Sequence, residues 1–361
     1  MLQNMRRARG RSSYLAWLAV AVTLIGTGCH KEVEMTPLID RKVAITDRFY
    51  DVEALSPERA LVVGYGGKIL ETQDGGATWT RISSGTKDLA LYNATFIDAT
   101  IGWIVGQDGL ILYTNDGGKT WQRQKSDTDR NLFSVMALDR QHVYAVGDRS
   151  ALTMTADGGL TWKAQKVKSV GDDMTRGVSV AAQDPVFYDI QFLNASDGWI
   201  SGEFGKLLQT TDGGTTWTER QKTLMGGEFF DPLDLPTLFG VSFLSPEVAV
   251  AAGLDARLAR TSDGGLTWGW ETIESSYPLL DPFFDVHVFT DGSGWAIGAA
   301  GQVVRRKAGE TTWRTADLGQ PIFTWLRGMS FLDQKNGWFV GGYGLILHTT
   351  DGGETWLPCF G

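Results

Sequence analysis

Two cysteines stand in 361 residues, Cys29 and Cys359, so a disulfide framework is excluded as the source of stability. Histidine is as scarce: His30, His142, His287 and His348 fall at no ligand spacing, and neither a metal nor a cofactor is expected. The N-terminal apolar run, Tyr14 to Ile25, holds twelve residues, short of the roughly 20 a membrane-spanning helix needs. Basic side chains are outnumbered, 33 against 42 acidic, for a formal charge of −9. Without residues 1–28, which carry four arginines and no acid, 29 basic against 42 acidic residues leave −13, a surface unsuited to nucleic acid. The glycine-rich run Gly64-Tyr65-Gly66-Gly67 precedes a strand rather than a helix, which excludes a phosphate loop.

What the chain has in abundance is one octapeptide. Thr114-Asn115-Asp116-Gly117-Gly118-Lys119-Thr120-Trp121 is a clean copy, and others place Asp74, Asp157, Asp212, Asp263 and Asp351 in the same box. A seventh copy, Arg306 to Trp313, has lost its aspartate to Ala308. Successive aspartate positions, counting Ala308, lie 42, 41, 55, 51, 45 and 43 residues apart, the period of one four-stranded propeller blade. Glycines supply the positive φ of a tight turn, the carboxylate accepts amide hydrogen bonds, and the tryptophan opens the next strand with a large apolar face. Seven such turns around a ring cannot converge on one substrate, so the boxes read as scaffold. The expected fold is all-β, a seven-bladed propeller over residues 46–361.

Ahead of it, residues 1–28 read as an export signal: Arg6, Arg7, Arg9 and Arg11, the apolar run, then Gly26-Thr27-Gly28 before Cys29. Cys29 after small residues is similar to a bacterial lipobox, which implies lipidation at Cys29; an ordinary cleaved signal with a free thiol is the alternative. Residues 29–45 form a tether, with Val43 to Ile45 offered as a strand closing the last blade. The location implied is exported and membrane-anchored, facing the periplasm. His30 is not the aspartate that retains lipoproteins at the inner membrane, so the outer membrane is favoured, and a thylakoid lumen applies only in a photosynthetic host.

Each repeat ends its second strand in a glycine: Gly64, Gly106, Gly147, Gly202, Gly253, Gly298 and Gly341, with Leu61, Trp103, Tyr144, Trp199, Val250, Trp295 and Trp338 three residues earlier. Alternating strand direction puts the boxes on one face. The turns between second and third strands share the other face with the blade-to-blade connections. Three of those connections are long, residues 163–187, 220–238 and 269–283, and long aromatic loops carry function more often than connection alone requires. The candidate protein-binding residues on that rim are Arg149, Glu203, Phe204, Phe229, Phe230, Asp255, Arg257 and Tyr277.

Boxes preceded by motifs such as Gly102-Trp103-Ile104-Val105-Gly106 and Gly337-Trp338-Phe339-Val340-Gly341 resemble the photosystem II stability/assembly factor family of seven-bladed propellers. The resemblance covers about residues 46–361. It implies a non-enzymatic assembly factor with no small-molecule substrate, holding a membrane-protein client or envelope complex. An arginine-rich face attributed to the family has only Arg305-Arg306-Lys307 as a local counterpart. Asp-boxes also occur in sialidases, but this chain has no Arg-Ile-Pro motif, and Asp172-Asp173 is an adjacent acid pair in a polar loop, so no catalytic residue is assigned. An accessory lipoprotein of an envelope transport complex is the third reading.

Overall fold

The computed structural model describes residues 42–167, 169–170, 184–221, 224 and 235–360. The signal, Cys29, most of the tether, Asp172-Asp173, Phe229 and Phe230 lie outside the described residues. Seven sheets follow one another along the chain, each built from four consecutive antiparallel strands. The first strands of the blades are Phe49–Ala54, Leu91–Phe96, Leu132–Ala137, Phe187–Phe192, Leu238–Phe243, Phe283–Val288 and Leu326–Phe331. Each touches the first strand of both neighbouring blades, and Phe49–Ala54 meets Leu326–Phe331 to close the ring around a central channel.

Closure comes from packing. Seven apolar clusters among the described residues each join two adjacent blades, and the one at the seam gathers Phe49, Val52, Val62, Leu70 and Trp79 of the first blade with Trp338, Val340 and Ile346 of the last. Box tryptophans meet second-strand tryptophans of the preceding blade edge to face: Trp79 on Trp338 at 5.9 Å, Trp268 on Trp199 at 5.9 Å, Trp356 on Trp295 at 5.6 Å. Such pairs add to area burial because the ring edge meets the negative face of its partner. The expected closing strand at Val43 to Ile45 is absent. Those residues lie in a turn with Val43 buried in the seam cluster, and a single bridge, Arg48 to Gly342, joins the entering chain to the last blade. The last blade already has its fourth strand in Leu357–Pro358, the position an N-terminal strand would have filled.

Close approach explains the once-per-repeat glycine. A Cβ at Gly147 would stand 1.8 Å from the carbonyl oxygen of Asn131, and at Gly64 it would stand 2.2 Å from that of Arg48. The residue following each of these glycines donates its amide to that carbonyl, at 2.9 Å for Tyr65 and Gln107 and 3.0 Å for Asp148 and Gly342. These bonds tie the second-to-third-strand turns to the chain entering each blade, on the face expected.

The boxes behave as scaffold. Thr114 Oγ1 donates to Asp116 Oδ1 at 2.8 Å and accepts from Gly118 N; Asp116 accepts from Thr120 N at 3.0 Å and Thr120 Oγ1 at 2.6 Å. The same bonds recur at Asp74, Asp157, Asp212, Asp263 and Asp351. Asp116→Ala is expected to cost about 1–3 kcal/mol through amides left unpaired, read by urea denaturation. A variant of full stability that has lost binding would make the box a site.

Two long connections depart from their expected course. Ser169–Val170 pairs parallel to Trp217–Glu219 at the outer edge of the fourth blade, and Ile273–Glu274 pairs parallel to Trp313–Thr315 at the edge of the sixth. Part of each connection thus covers an outer sheet edge, where unpaired amides would invite association.

Candidate functional site

The second residue of each innermost strand points into the channel mouth, and six of the seven are aromatic: Tyr50, Tyr92, Phe133, Tyr188, Phe239 and Phe284. Neighbouring rings lie 5.4, 5.0, 5.6, 4.8 and 5.3 Å apart around the circle. The seventh position is Arg327, whose guanidinium lies 5.3 Å from the Phe284 centroid. Trp325 stacks on Tyr50 at 5.8 Å and 8°. Above this ring opens a funnel of about 880 Å³ bounded by Ile45, Arg48, Phe323, Trp325 and Tyr343. Among the described residues, Arg48 and Arg327 are the charged ones in its lining, which contains no acid. Neither has a carboxylate of the described residues in ion-pair contact. Arg48 lies over Tyr65 at 5.6 Å. Burial pulls the Arg327 guanidinium below its ordinary pKa, opposed by the nearby Tyr188, Tyr50 and Asp285.

One residue deeper, side chains bond the innermost strands to one another. Asp51 accepts from Ala94 N at 2.8 Å and Asn93 Nδ2 at 2.9 Å; Asn93 Oδ1 accepts from Val135 N at 2.9 Å. Ser134 donates to Asp189, Asp189 accepts from Val241 N at 3.1 Å, and Asp285 accepts from Met329 N at 3.1 Å. Glycine occupies this position in the fifth and seventh blades, and the bond shifts two residues along: Ser242 Oγ accepts from Val288 N and Ser330 Oγ from Ala54 N, each at 3.1 Å. The whole set is a belt of inter-blade bonds, each worth about 0.5–1.5 kcal/mol. Enclosure pushes its acids toward the neutral form: Asp51 and Asp285 well above the usual carboxylate range, Asp189 above it, and Glu53 up to about 8. Burial is the leading cause for all four, because a charge in the channel forfeits its water.

Most of the sequence-predicted rim residues lie on the mouth face but outside the funnel. Arg149, Phe204 and Asp255 take positive φ at the tips of second-to-third-strand turns. Glu203 accepts the Val186 amide at 2.9 Å, a structural bond. Arg257 covers the Trp270 ring at 4.9 Å, and Tyr277 is exposed. Arg305-Arg306-Lys307 is not a basic patch: Arg305 pairs with Glu354 at 2.8 Å, and Arg306 is buried. Sequence reading missed Tyr50, Tyr92, Arg48 and Arg327. The available signal was the second position of each blade's first strand, aromatic in six repeats, visible once the repeats are stacked on their glycines.

Among the described residues no three His, Cys, Asp or Glu side chains converge as a metal site, and no helix is long and apolar enough to cross a membrane.

Seven four-stranded blades, box turns on one face and an aromatic funnel on the other define a seven-bladed Asp-box propeller. The chain belongs to the family described as Photosynthesis system II assembly factor YCF48, whose profile matches residues 31–171, 175–268 and 270–359. A curated relative, "Photosystem II assembly lipoprotein Ycf48" of Synechococcus sp. (strain CC9902), is 30% identical over 120 residues, 33% of this chain; the match spans about a third, 32%, of that relative. A solved structure titled "YCF48 bound to D1 peptide" superposes with TM-score 0.65 at 19% identity, covering 85% of this chain and 95% of its own. YCF48 from Cyanidioschyzon merolae gives 0.67 at 19%, covering 87% and 97%. The GH74 xyloglucanase from Xanthomonas campestris gives 0.66 at 13%, covering 87% of this chain and 54% of its own. At these identities the structures show the shared fold alone.

Proposed function

We propose that the protein is a non-enzymatic assembly factor that holds an extended segment of a membrane-protein client in the channel-mouth funnel. The carrying observation is chemical. In a chain with 42 acidic residues, a funnel of about 880 Å³ has an aromatic wall and two arginines with no ion-pair carboxylate among the described residues. Apolar side chains of a client pack on Tyr50, Tyr92 and Trp325, and a client carboxylate lies against Arg48 and Arg327, a charge-assisted contact strengthened by the burial of Arg327. The rim residues Arg149, Phe204, Asp255, Arg257 and Tyr277 border the same face and extend the contact surface. That a family structure carries a D1 peptide in its title supports a peptide client. Export with lipidation at Cys29 places the funnel beside membrane proteins, and mass spectrometry of the mature N-terminus tests it: an unmodified thiol overturns the anchor.

A glycosidase reading finds less support. The channel acids Asp51, Asp189 and Asp285 each accept a backbone amide of a neighbouring blade, which is a structural use and not a pair of carboxyls flanking a substrate.

The test is titration of a fluorescein-labelled D1 peptide. Arg327→Ala and Arg48→Ala are each expected to weaken affinity roughly tenfold or more, as for a lost charged hydrogen bond, with melting temperatures checked in parallel. Unchanged affinity in both variants moves the site to the outer rim. A wild type that ignores the peptide and cleaves xyloglucan or a sialoside overturns the function.

A further inference from the structure

The mouth face is divided into two sectors. The second-to-third-strand turns of the second to fifth blades carry Asp108, Asp148, Arg149, Glu203, Asp255 and Arg257, whereas those of the sixth, seventh and first blades read Ala299-Ala300-Gly301, Gly342-Tyr343-Gly344 and Tyr65-Gly66-Gly67, without a charge. Around this neutral sector stand apolar side chains that fold nothing: Phe323 is 84% exposed, Ile45 78%, Tyr343 68% and Tyr65 55%. Of the acids near it, Asp47 pairs with Lys68 and Asp317 accepts the Gly319 amide, while Asp88 is exposed on the connection from the first to the second blade.

The chain enters the propeller in this same sector. Asp47 O accepts from Gly344 N at 2.9 Å, and Arg48 bridges Gly342. Residues 30–41, twelve in number, separate Cys29 from the first described residue, a reach of at most about 45 Å fully extended. A lipid at Cys29 therefore tethers the molecule on the side of these uncharged turns.

We propose that the sector of the sixth, seventh and first blades seats on the lipid surface, with Phe323, Tyr343, Ile45 and Tyr65 in the headgroup region. Tyrosine suits that zone because its apolar ring enters the acyl boundary while its hydroxyl stays hydrated, and phenylalanine adds an apolar ring that inserts beside it. The absence of acid on these turns removes repulsion from anionic lipid, and the charged turns opposite tilt away, so the funnel opens sideways along the membrane. This inference rests on the lipid-anchor reading and is independent of whether the funnel takes a peptide.

The experiment uses lipidated protein purified from membranes and reconstituted on phosphatidylethanolamine–phosphatidylglycerol vesicles that contain no client. A p-benzoylphenylalanine replaces Phe323, Tyr343, Leu160 or Leu266, the last two exposed on box turns of the opposite face. Illumination is expected to give phospholipid adducts at 323 and 343 several-fold above those at 160 and 266. Equal yields on both faces, or none at 323 and 343 in protein that floats with the vesicles, overturn the proposal, and so does protein that fails to float. As a second arm, amide exchange at 323–327 and 342–344 should slow on vesicles in the wild type but not in Phe323→Asp/Tyr343→Asp. Exchange unchanged by vesicles in the wild type counts against seating. Failed adducts alongside intact peptide affinity refute the seating alone; the converse refutes the client reading alone.

Discussion

Glu271→Ala is expected to destabilise the protein by about 3–5 kcal/mol, the cost of leaving a buried guanidinium without its counter-charge. The sixth blade has Arg306 where the other boxes have threonine and Ala308 where they have aspartate. Arg306 is buried to 1% exposure, donates Nε to Gly292 O at 2.7 Å, pairs with Glu271 at 3.1 Å and stacks over Trp313 at 4.7 Å. Glu271 also accepts from Trp313 Nε1 at 3.1 Å. The turn lost its box and acquired a buried ion pair, so this blade should tolerate loss of the acid far less than the second blade tolerates Asp116→Ala. Urea denaturation measures it. Rebuilding the box with Arg306→Thr, Ala308→Asp and Glu310→Gly should recover most of the stability in the Glu271→Ala background, since the charge needing a partner is gone. A loss below that of Asp116→Ala would show that Glu271 does not carry the turn.

A melting-temperature profile across pH should fall on both sides of a mildly acidic maximum, because two sets of carboxylates act with opposite sign. Hydrogen bonds from the box threonines and their amides hold Asp116, Asp157 and Asp351 down to about 2. A depressed folded-state pKa gives stability that is present above the ordinary carboxylate value and lost as pH falls through about 2. Burial raises Glu53 to about 8 from 4.5. A raised acid contributes stability that is full below 4.5 and disappears as pH climbs through about 8. Asp51, Asp189 and Asp285, also raised, act in the same direction. Glu53→Gln keeps the shape and removes the proton, so it should flatten the alkaline limb and leave the acid limb alone. At roughly 2–4 °C per kcal/mol for a chain of this size class or smaller, the gain at pH 9 should reach several degrees by differential scanning fluorimetry. A wild type that grows more stable from pH 5 to 9 contradicts the assignment.

The ring and its number of blades were legible in the chain because the box repeats at a blade's length and each residue in it answers a local need: Asp116 for turn amides, Gly117 and Gly118 for positive φ, Thr114 for a hydroxyl bridge. Local chemistry leaves its mark in a contiguous stretch. The face assignment was legible too, since strand alternation is a property of any four-stranded blade. The recurring glycine could be seen but not explained; its reason is a carbonyl from another strand, 1.8 Å from where the Gly147 Cβ would stand. The site was not legible. Tyr50, Tyr92, Phe133 and Arg327 are far apart in sequence and ordinary as strand residues; only ring closure brings their second-position side chains to one mouth and leaves Arg48 and Arg327 without an ion-pair carboxylate among the described residues. The same holds for Arg306, which reads as part of a basic run and becomes a buried ion pair once Glu271 arrives from the preceding connection. Sequence by itself determined the repeated unit, whose forces act within a few residues. The tertiary structure alone decided what those units surround, because burial and charge in a channel belong to seven strands at once.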